Sequence, residues 1–380
     1  MHIVQLTYST KPRGGVVHTL ALSEELARRG HDVELWTLGR GGDTAFFRRV
    51  DPRVRVRIVP FEAAEDESVG DRIDRSIEAL ATAFNSDAEI VHAQDCISFN
   101  AVAAAGVPAI RTIHHLDAFT TPRLIDCHDR AVAEPMARVS VSAAVAAEVH
   151  DVYGVTPTVI PNGVDAVRFA RAAAAEGATA RDAWQSRLGR YVLALGGIEP
   201  RKGTADLLEA VALLRRRHPD VKLVIGGGET LFDYRDYRAA FDARARAVGI
   251  EPVVLGSLAE DDLPSLVAAA SALGFASVKE GFGLAAMEAL AAGVPVVARN
   301  LPVTREVFGD AVAYAEDIAG FADALERVFT ASHPAPPVRG RELAARHTWA
   351  AAAERHERLY AAVLRQGGDH GSAVDLDDPR

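Results

Sequence analysis

Two carboxylates, Glu280 and Glu288, flank the glycine-bearing turn Gly281-Phe282-Gly283-Leu284, and the pattern after it predicts a helix over 284–292. Glycines there permit close backbone approach, and a helix opening at Gly283 presents unpaired N–H groups and the positive end of its dipole. That combination suits a diphosphate. Glu280 lies in the loop and Glu288 about a turn and a half inside the helix, so the two can address different parts of one extended ligand, sugar hydroxyls and ribose hydroxyls. Upstream, Gly196-Gly197-Ile198-Glu199-Pro200-Arg201-Lys202-Gly203 sets two adjacent cations before another expected helix. Cations held there could neutralise the charge developing on a departing diphosphate without a metal.

Three further groups follow strand-like runs. Gly14-Gly15 opens the first expected helix but is not the G-x-G-x-x-G of a dinucleotide fold, which counts against a nicotinamide cofactor. Arg111-Thr112-Ile113-His114-His115 ends a strand, where ligands collect in open α/β sheets. Gly226-Gly227-Gly228-Glu229 follows another, and Gly228 is a candidate for the nucleotide side of a site. Taken singly, each has a plainer explanation: a turn, a strand terminator or a hydrogen-bonded structural histidine.

Short apolar runs alternate with helical patterns, the signature of βαβ units and parallel sheets. Strands are expected at 2–6, 32–37, 54–60, 90–93, 109–113, 138–142 and 158–160, and again at 191–195, 221–225, 253–255, 273–275 and 294–297. Between the two series, Pro161-Asn162-Gly163-Val164-Asp165 reads as a hinge, and the Ala/Arg-rich stretch to residue 185 as a linker. The expected domains are 1–165, joined by a terminal helix over 348–365, and 166–347, with a disordered tail at 366–380. Trp349 and Tyr360 on the terminal helix read as packing residues.

The stretch from Glu280 through Ala289-Leu290-Ala291-Ala292-Gly293-Val294-Pro295-Val296-Val297-Ala298 resembles the signature of a large retaining glycosyltransferase family. This is the GT-B group usually called family 4, which includes sucrose synthases, glycogen synthases and bacterial mannosyltransferases. The resemblance runs from Gly14 to about Leu364. It implies a GT-B fold, α/β, with two Rossmann-like domains whose parallel sheets face a central cleft. It also implies transfer of a hexose-type sugar from a nucleotide-diphosphate sugar to an acceptor hydroxyl with retention, needing neither a metal nor a further cofactor. Under it His114, Arg201, Lys202 and Glu280 are the catalytic candidates. Gly14, Gly15, Gly228, Phe282, Gly283, Leu284 and Glu288 are the substrate-binding ones, and closure near Asn162 would bring Gly14, Gly15 and His114 over the sugar. One departure stands out: the family usually has an arginine directly after the first glycine of the Gly196 loop, and here Gly197 occupies that place. Arg201 is then the expected replacement cation. The competing readings are a nucleotide-sugar epimerase or hydrolase, for which Asp95 and Asp117 are the available carboxylates, and a catalytically weak binding protein.

The chain has 380 residues, enough for two cores, and a composition of 49% hydrophobic and 25% charged residues that fits a folded globular protein. Its net charge of -10 argues against a nucleic-acid partner, which would be met with clustered Lys and Arg. Only Cys96 and Cys127 occur, without metal-site spacing, so a reducing cytoplasm is expected. No basic leader and no apolar run of the roughly 20 residues needed to span a bilayer is read in the sequence. The acceptor, whether small molecule, lipid or glycan, is not encoded in any recognised pattern.

Overall fold

A computed structural model describes residues 1–64, 67–117, 119–227, 234–330 and 338–368. The chain divides into two compact units, one formed by Met1–Val141, Val145–Gly163 and the chain from Trp349 on, the other by Ser142–Ala144 and Val164–Thr348.

In the first unit the order is β1 (His2–Leu6), α1 (Gly14–Arg28), β2 (Asp32–Arg40), β3 (Val54–Phe61), α2 (Val69–Ala83), β4 (Ile90–Ala93) and α3 (Cys96–Ala104). It continues with β5 (Ile110–Ile113), α4 (Pro122–Ala133), β6 (Ala137–Ser140), α5 (Ala143–Tyr153) and β7 (Thr158–Val159). The seven strands pair in the order β3-β2-β1-β4-β5-β6-β7, every pair parallel. Parallel strands covered on both faces read as continuous apolar runs, which is why β1, β4 and β5 were visible in the sequence. The order reverses between β1 and β4, the switch point at which open α/β sheets bind ligands beyond their carboxyl ends.

The second unit begins with α6 (Ala166–Ala173), a short 3-10 turn and α7 (Ala178–Leu188). These helices overturn the expected linker. Asp165 caps α6 by accepting from the Arg168 N–H, Phe169 is only 2% exposed, and Ala and Arg are strong helix formers. There follow β8 (Tyr191–Leu195), α8 (Thr204–Leu214), β9 (Lys222–Gly226), α9 (Arg235–Ala247), β10 (Val253–Gly256), α10 (Leu263–Ala269), β11 (Ala272–Phe275) and α11 (Leu284–Ala292). The unit ends with β12 (Val296–Arg299), α12 (Pro302–Phe308), β13 (Ala313–Ala315), α13 (Ile318–Thr330) and α14 (Val338–Arg346). The six strands lie in the order β10-β9-β8-β11-β12-β13, again all parallel, with the reversal between β8 and β11.

The last helix, α15 (Trp349–Gly368), belongs to the first unit and runs past residue 365, where the tail was expected to begin; residues 369–380 lie outside the described residues. Its Ala353, Leu359, Tyr360 and Val363 join the core of β1, α1 and β2. Tyr360 is fully buried, and its hydroxyl accepts from Gln5 Nε2 at 3.0 Å and meets His92 Nδ1 at 2.8 Å. Among the described residues no helix is long and apolar enough to cross a membrane.

Candidate functional site

The second unit gathers its charged candidates at its switch point. After β8 the backbone turns at Gly196, whose φ of 126° favours glycine, and the Lys202 side chain passes so close that a Cβ there would meet Lys202 Cε at 3.2 Å. A 3-10 turn over Pro200–Lys202 ends on Gly203, with φ 61° and a position where any Cβ would fall on the Ala276 carbonyl. Gly203 therefore seats the Arg201-Lys202 turn beside the segment after β11, and the Val278 N–H donates to the Arg201 carbonyl at 2.8 Å.

Lys202 Nζ thus donates to Glu280 Oε2 at 3.0 Å, and Arg201 Nη1 stands 3.6 Å from the same oxygen. Arg201 also donates to the Lys279 carbonyl at 3.3 Å. All three side chains keep partial exposure, 13% for Glu280, 21% for Lys202 and 25% for Arg201, so an incoming anion could exchange for the carboxylate. Arg201 reaches the Glu280 group from a backbone position four residues beyond Gly197.

Gly283 caps α11 in the left-handed region, φ 97°, where a Cβ would meet Phe308 Cζ at 2.6 Å and Phe275 Cζ at 3.1 Å. Ala286 and Met287 donate back to the Gly283 carbonyl, so the amides of the preceding first turn carry no intrahelical bond. The Phe282 side chain is buried and meets the His347 ring edge-on at 5.6 Å, so only its backbone can serve a ligand. Leu284 begins the helix half-buried.

Glu288 sits partly buried in α11 with no hydrogen bond or ion pair among the described residues. Burial first, then the neighbouring Glu260 and Asp165 carboxylates, push its carboxyl up to about 8 against an opposing pull from Arg168. No interaction links it to Glu280, so the two glutamates occupy separate positions along the helix and its loop. Gly228 lies outside the described residues.

The remaining candidates belong to the first unit. Gly14 and Gly15 form the first turn of α1, and a Cβ on Gly15 would touch the His114 ring at 3.6 Å. His114 Nε2 is buried without a hydrogen-bond partner, its ring stands edge-on to His18 at 4.9 Å, and burial followed by His18 and Arg111 holds it well below the ordinary imidazole range. His115 instead pairs with Asp117 at 2.9 Å. Asp95, a carboxylate considered for acid/base work, caps α3: it accepts from the Ser98 and Tyr8 amides, both at 2.8 Å.

Sequence reasoning missed the surroundings of His114. His18 Nδ1 meets Asn162 Oδ1 at 2.8 Å, and His18 lies against Trp349 and His356 with ring centroids 5.4 and 6.1 Å away. The one local signal was spacing, since His18 falls four residues after Gly14 and so on the same helix face.

Comparison with known proteins finds a family model matching in each half of the chain. Residues 12–168 match the family model Glycosyltransferase Family 4, and residues 181–339 match Glycosyl transferases group 1. The chain is 30% identical over 358 residues to a D-inositol 3-phosphate glycosyltransferase of Saccharomonospora viridis, covering 84% of this chain and 82% of the relative. It is 26% identical to an MMP alpha-(1->4)-mannosyltransferase of Mycolicibacterium hassiacum, over 81% of this chain and 83% of that one. Among solved structures, a sucrose-phosphate synthase of Thermosynechococcus elongatus superimposes with a TM-score of 0.77 at 19% identity, covering 96% of this chain and 99% of the other. Anabaena HepE, solved with UDP and glucose, gives 0.72 at 18%, covering 95% and 100%. With a group 1 model matched in its second half, a family 4 model in its first and two switch-point sheets of the same fold, the chain belongs to the group 1 glycosyltransferases and has the GT-B fold.

Proposed function

We propose that the protein transfers a hexose-type sugar from a nucleotide-diphosphate sugar to an acceptor hydroxyl, with retention of anomeric configuration and without a metal. The observation that carries this reading is the Lys202-Glu280-Arg201 cluster at the β8/β11 switch point, beside the amino end of α11. In the unliganded chain Glu280 neutralises the two cations. A donor diphosphate would take over Lys202 and Arg201, together with the free amides of α11, and release Glu280 to orient hydroxyls of the sugar. Arg201 then supplies the charge that Gly197 lacks. Glu288 is assigned to the ribose, and Gly14, Gly15 and His114 to the sugar.

In the transfer itself the bond between the anomeric carbon and the β-phosphate oxygen breaks, and a bond from that carbon to the acceptor oxygen forms on the same face. The acceptor proton goes to the departing phosphate oxygen, so no protein base is required. His114, held neutral by burial, serves as a hydrogen-bonding contact in this scheme. An epimerase or hydrolase gains no support from the carboxylates of the first unit, because Asp95 is occupied as a helix cap and Asp117 by His115. A cytoplasmic location forms part of the proposal and is supported by two cysteines that are both free thiols.

Incubation with a panel of nucleotide sugars and candidate acceptors, followed by proton NMR of the product, tests the reading. Retained configuration with an acceptor and negligible donor loss without one are expected; an inverted product, or equal turnover without acceptor, refutes it. Replacing Lys202 with Ala should lower kcat by about 10² to 10³, the usual cost of one preorganised charge donor.

A further inference from the structure

The first unit repeats the plan of the second: at its own switch point, cations collect at strand ends, but here they have too little negative charge to face. Tyr8 follows β1, Arg40 ends β2, Asp95 follows β4 and Arg111 lies in β5. Parallel register puts Leu6 beside Trp36 and Ala93, and Ala93 beside Arg111. Tyr8, Arg40, Asp95 and Arg111 therefore share one face of the sheet. Arg13, the residue before α1, joins them over the Tyr8 ring at 6.0 Å, and Arg40 lies over the same ring at 5.3 Å.

Their hydrogen bonding is incomplete. Arg111 is 7% exposed, and its Nε and Nη1 are buried with no partner; Arg13 Nε and Arg40 Nε are likewise buried and unmatched. Arg40 Nη2 donates to Ser76 Oγ at 2.8 Å, a neutral acceptor. Asp95 is the carboxylate whose charge reaches Arg40 and Arg111, yet its oxygens are taken by the Tyr8 and Ser98 amides and the Ser98 hydroxyl. Among the described residues none of the three arginines forms an ion pair. The other charges nearby are already matched, Lys11 with Asp43 and Arg72 with Glu67. Arg13 and Arg40 at the Tyr8 ring thus face one saturated carboxylate that Arg111, deeper in β5, also shares, and a buried cation left without a counter-charge is strongly unfavourable.

The geometry points to a binding site for a phosphate group of the acceptor, held by Arg13 and Arg40 around Tyr8 beyond the carboxyl ends of β1 and β2. This rests on the transferase reading and extends it by naming the acceptor class. A phosphate offers several acceptor oxygens for guanidinium groups, which bind such oxyanions bidentately. Burial keeps the Tyr8 phenol protonated, raised to about 12, so it remains a donor toward the same group. The phosphate can be carried by a soluble sugar or polyol phosphate or by a lipid, and the chemistry recognised is the same.

Binding of glucose 6-phosphate, of glucose, and of phosphatidylcholine vesicles with and without phosphatidic acid separates these sources. It is measured on the full chain saturated with nucleoside diphosphate, so that the donor-side cations are occupied. We expect saturable binding of one phosphorylated probe and none of its neutral counterpart, weakened at least about tenfold in Arg40→Gln and in Arg13→Gln. Arg13→Gln carries the test alone should Arg40→Gln fail to fold. Nucleoside diphosphate binding is expected to persist in both variants. Absence of binding to either phosphorylated probe, or binding indifferent to these substitutions, overturns the site. If nucleoside diphosphate also fails to bind the wild-type chain, it is the transferase reading that falls.

Discussion

At the scale of single residues, Lys202 and Glu288 show how the second unit prepares charge before a ligand arrives. Lys202 is held by an ion pair that a diphosphate can replace, whereas Glu288 has no hydrogen bond or ion pair among the described residues and is kept largely protonated near neutrality by its burial. A carboxyl accepts two hydroxyl hydrogen bonds best when ionised. Donor affinity should therefore climb as pH rises from 6.5 and level off above about 8, the value to which Glu288 is raised. The stability consequence has the opposite sign: a carboxyl raised in the folded state contributes stability that is fully present below its unfolded value and lost as pH passes through about 8. Glu288→Gln imitates the neutral acid. It should flatten the pH dependence of donor binding in calorimetry and melt higher relative to wild type at pH 9 than at pH 6. Identical pH profiles for the two proteins would remove Glu288 from the ribose.

At the scale of elements, the site depends on two glycines that force a turn rather than merely permit one. Gly203 combines a positive φ with contact against the Ala276 carbonyl, so any side chain must push β8's loop away from the segment after β11. Gly203→Ala should cost roughly 1–3 kcal/mol in denaturant unfolding and depress kcat further than that loss of stability explains, because Lys202 is carried off Glu280. Wild-type kcat in a folded Gly203→Ala protein would show that the turn does not set the cation. This turn was legible in the sequence because its parts are adjacent: Gly196, Lys202 and Gly203 stand within one loop, as do Glu280 and Gly283 on the next, with Glu288 in the helix that follows. Strands covered on both faces announced themselves as apolar runs. The helices α6 and α7 did not, because α7 carries almost no apolar period and α6, though amphipathic, is only eight residues long, so packing around Phe169 is what reveals ordered structure. The meeting of Arg13 and Arg40 at Tyr8 escaped notice for a different reason. Each is unremarkable in its own segment, and only the β1–β2 register and the turn into α1 bring them together.

At the scale of the whole molecule, the two units should answer acid in opposite ways. Among its described residues the first buries five neutral imidazoles. Burial lowers His18 to about 3 and His128 and His356 to about 4, and puts His92 and His114 well below the ordinary range. A histidine whose folded value lies below its unfolded value of about 6.5 leaves the unfolded chain binding more protons between the two. Its stability contribution is therefore present above about 6.5 and is lost as pH falls, at up to roughly 1.4 kcal/mol per pH unit for each such group. His18, His92 and His356 stand around Trp349 and Tyr360, so the loss falls where α15 packs on the first sheet. In the second unit the raised Glu288 works the other way, its protonation being favoured on folding. Hydrogen exchange at pH 8 and pH 5, corrected for intrinsic rates, should show protection of β1, α1 and α15 falling while that of β8 and α11 holds or rises. Replacing His356 with Phe removes one buried imidazole and should shallow the acid-induced loss in the first unit alone. Equal changes in the two units would mean that the histidine cluster does not govern the docking of α15.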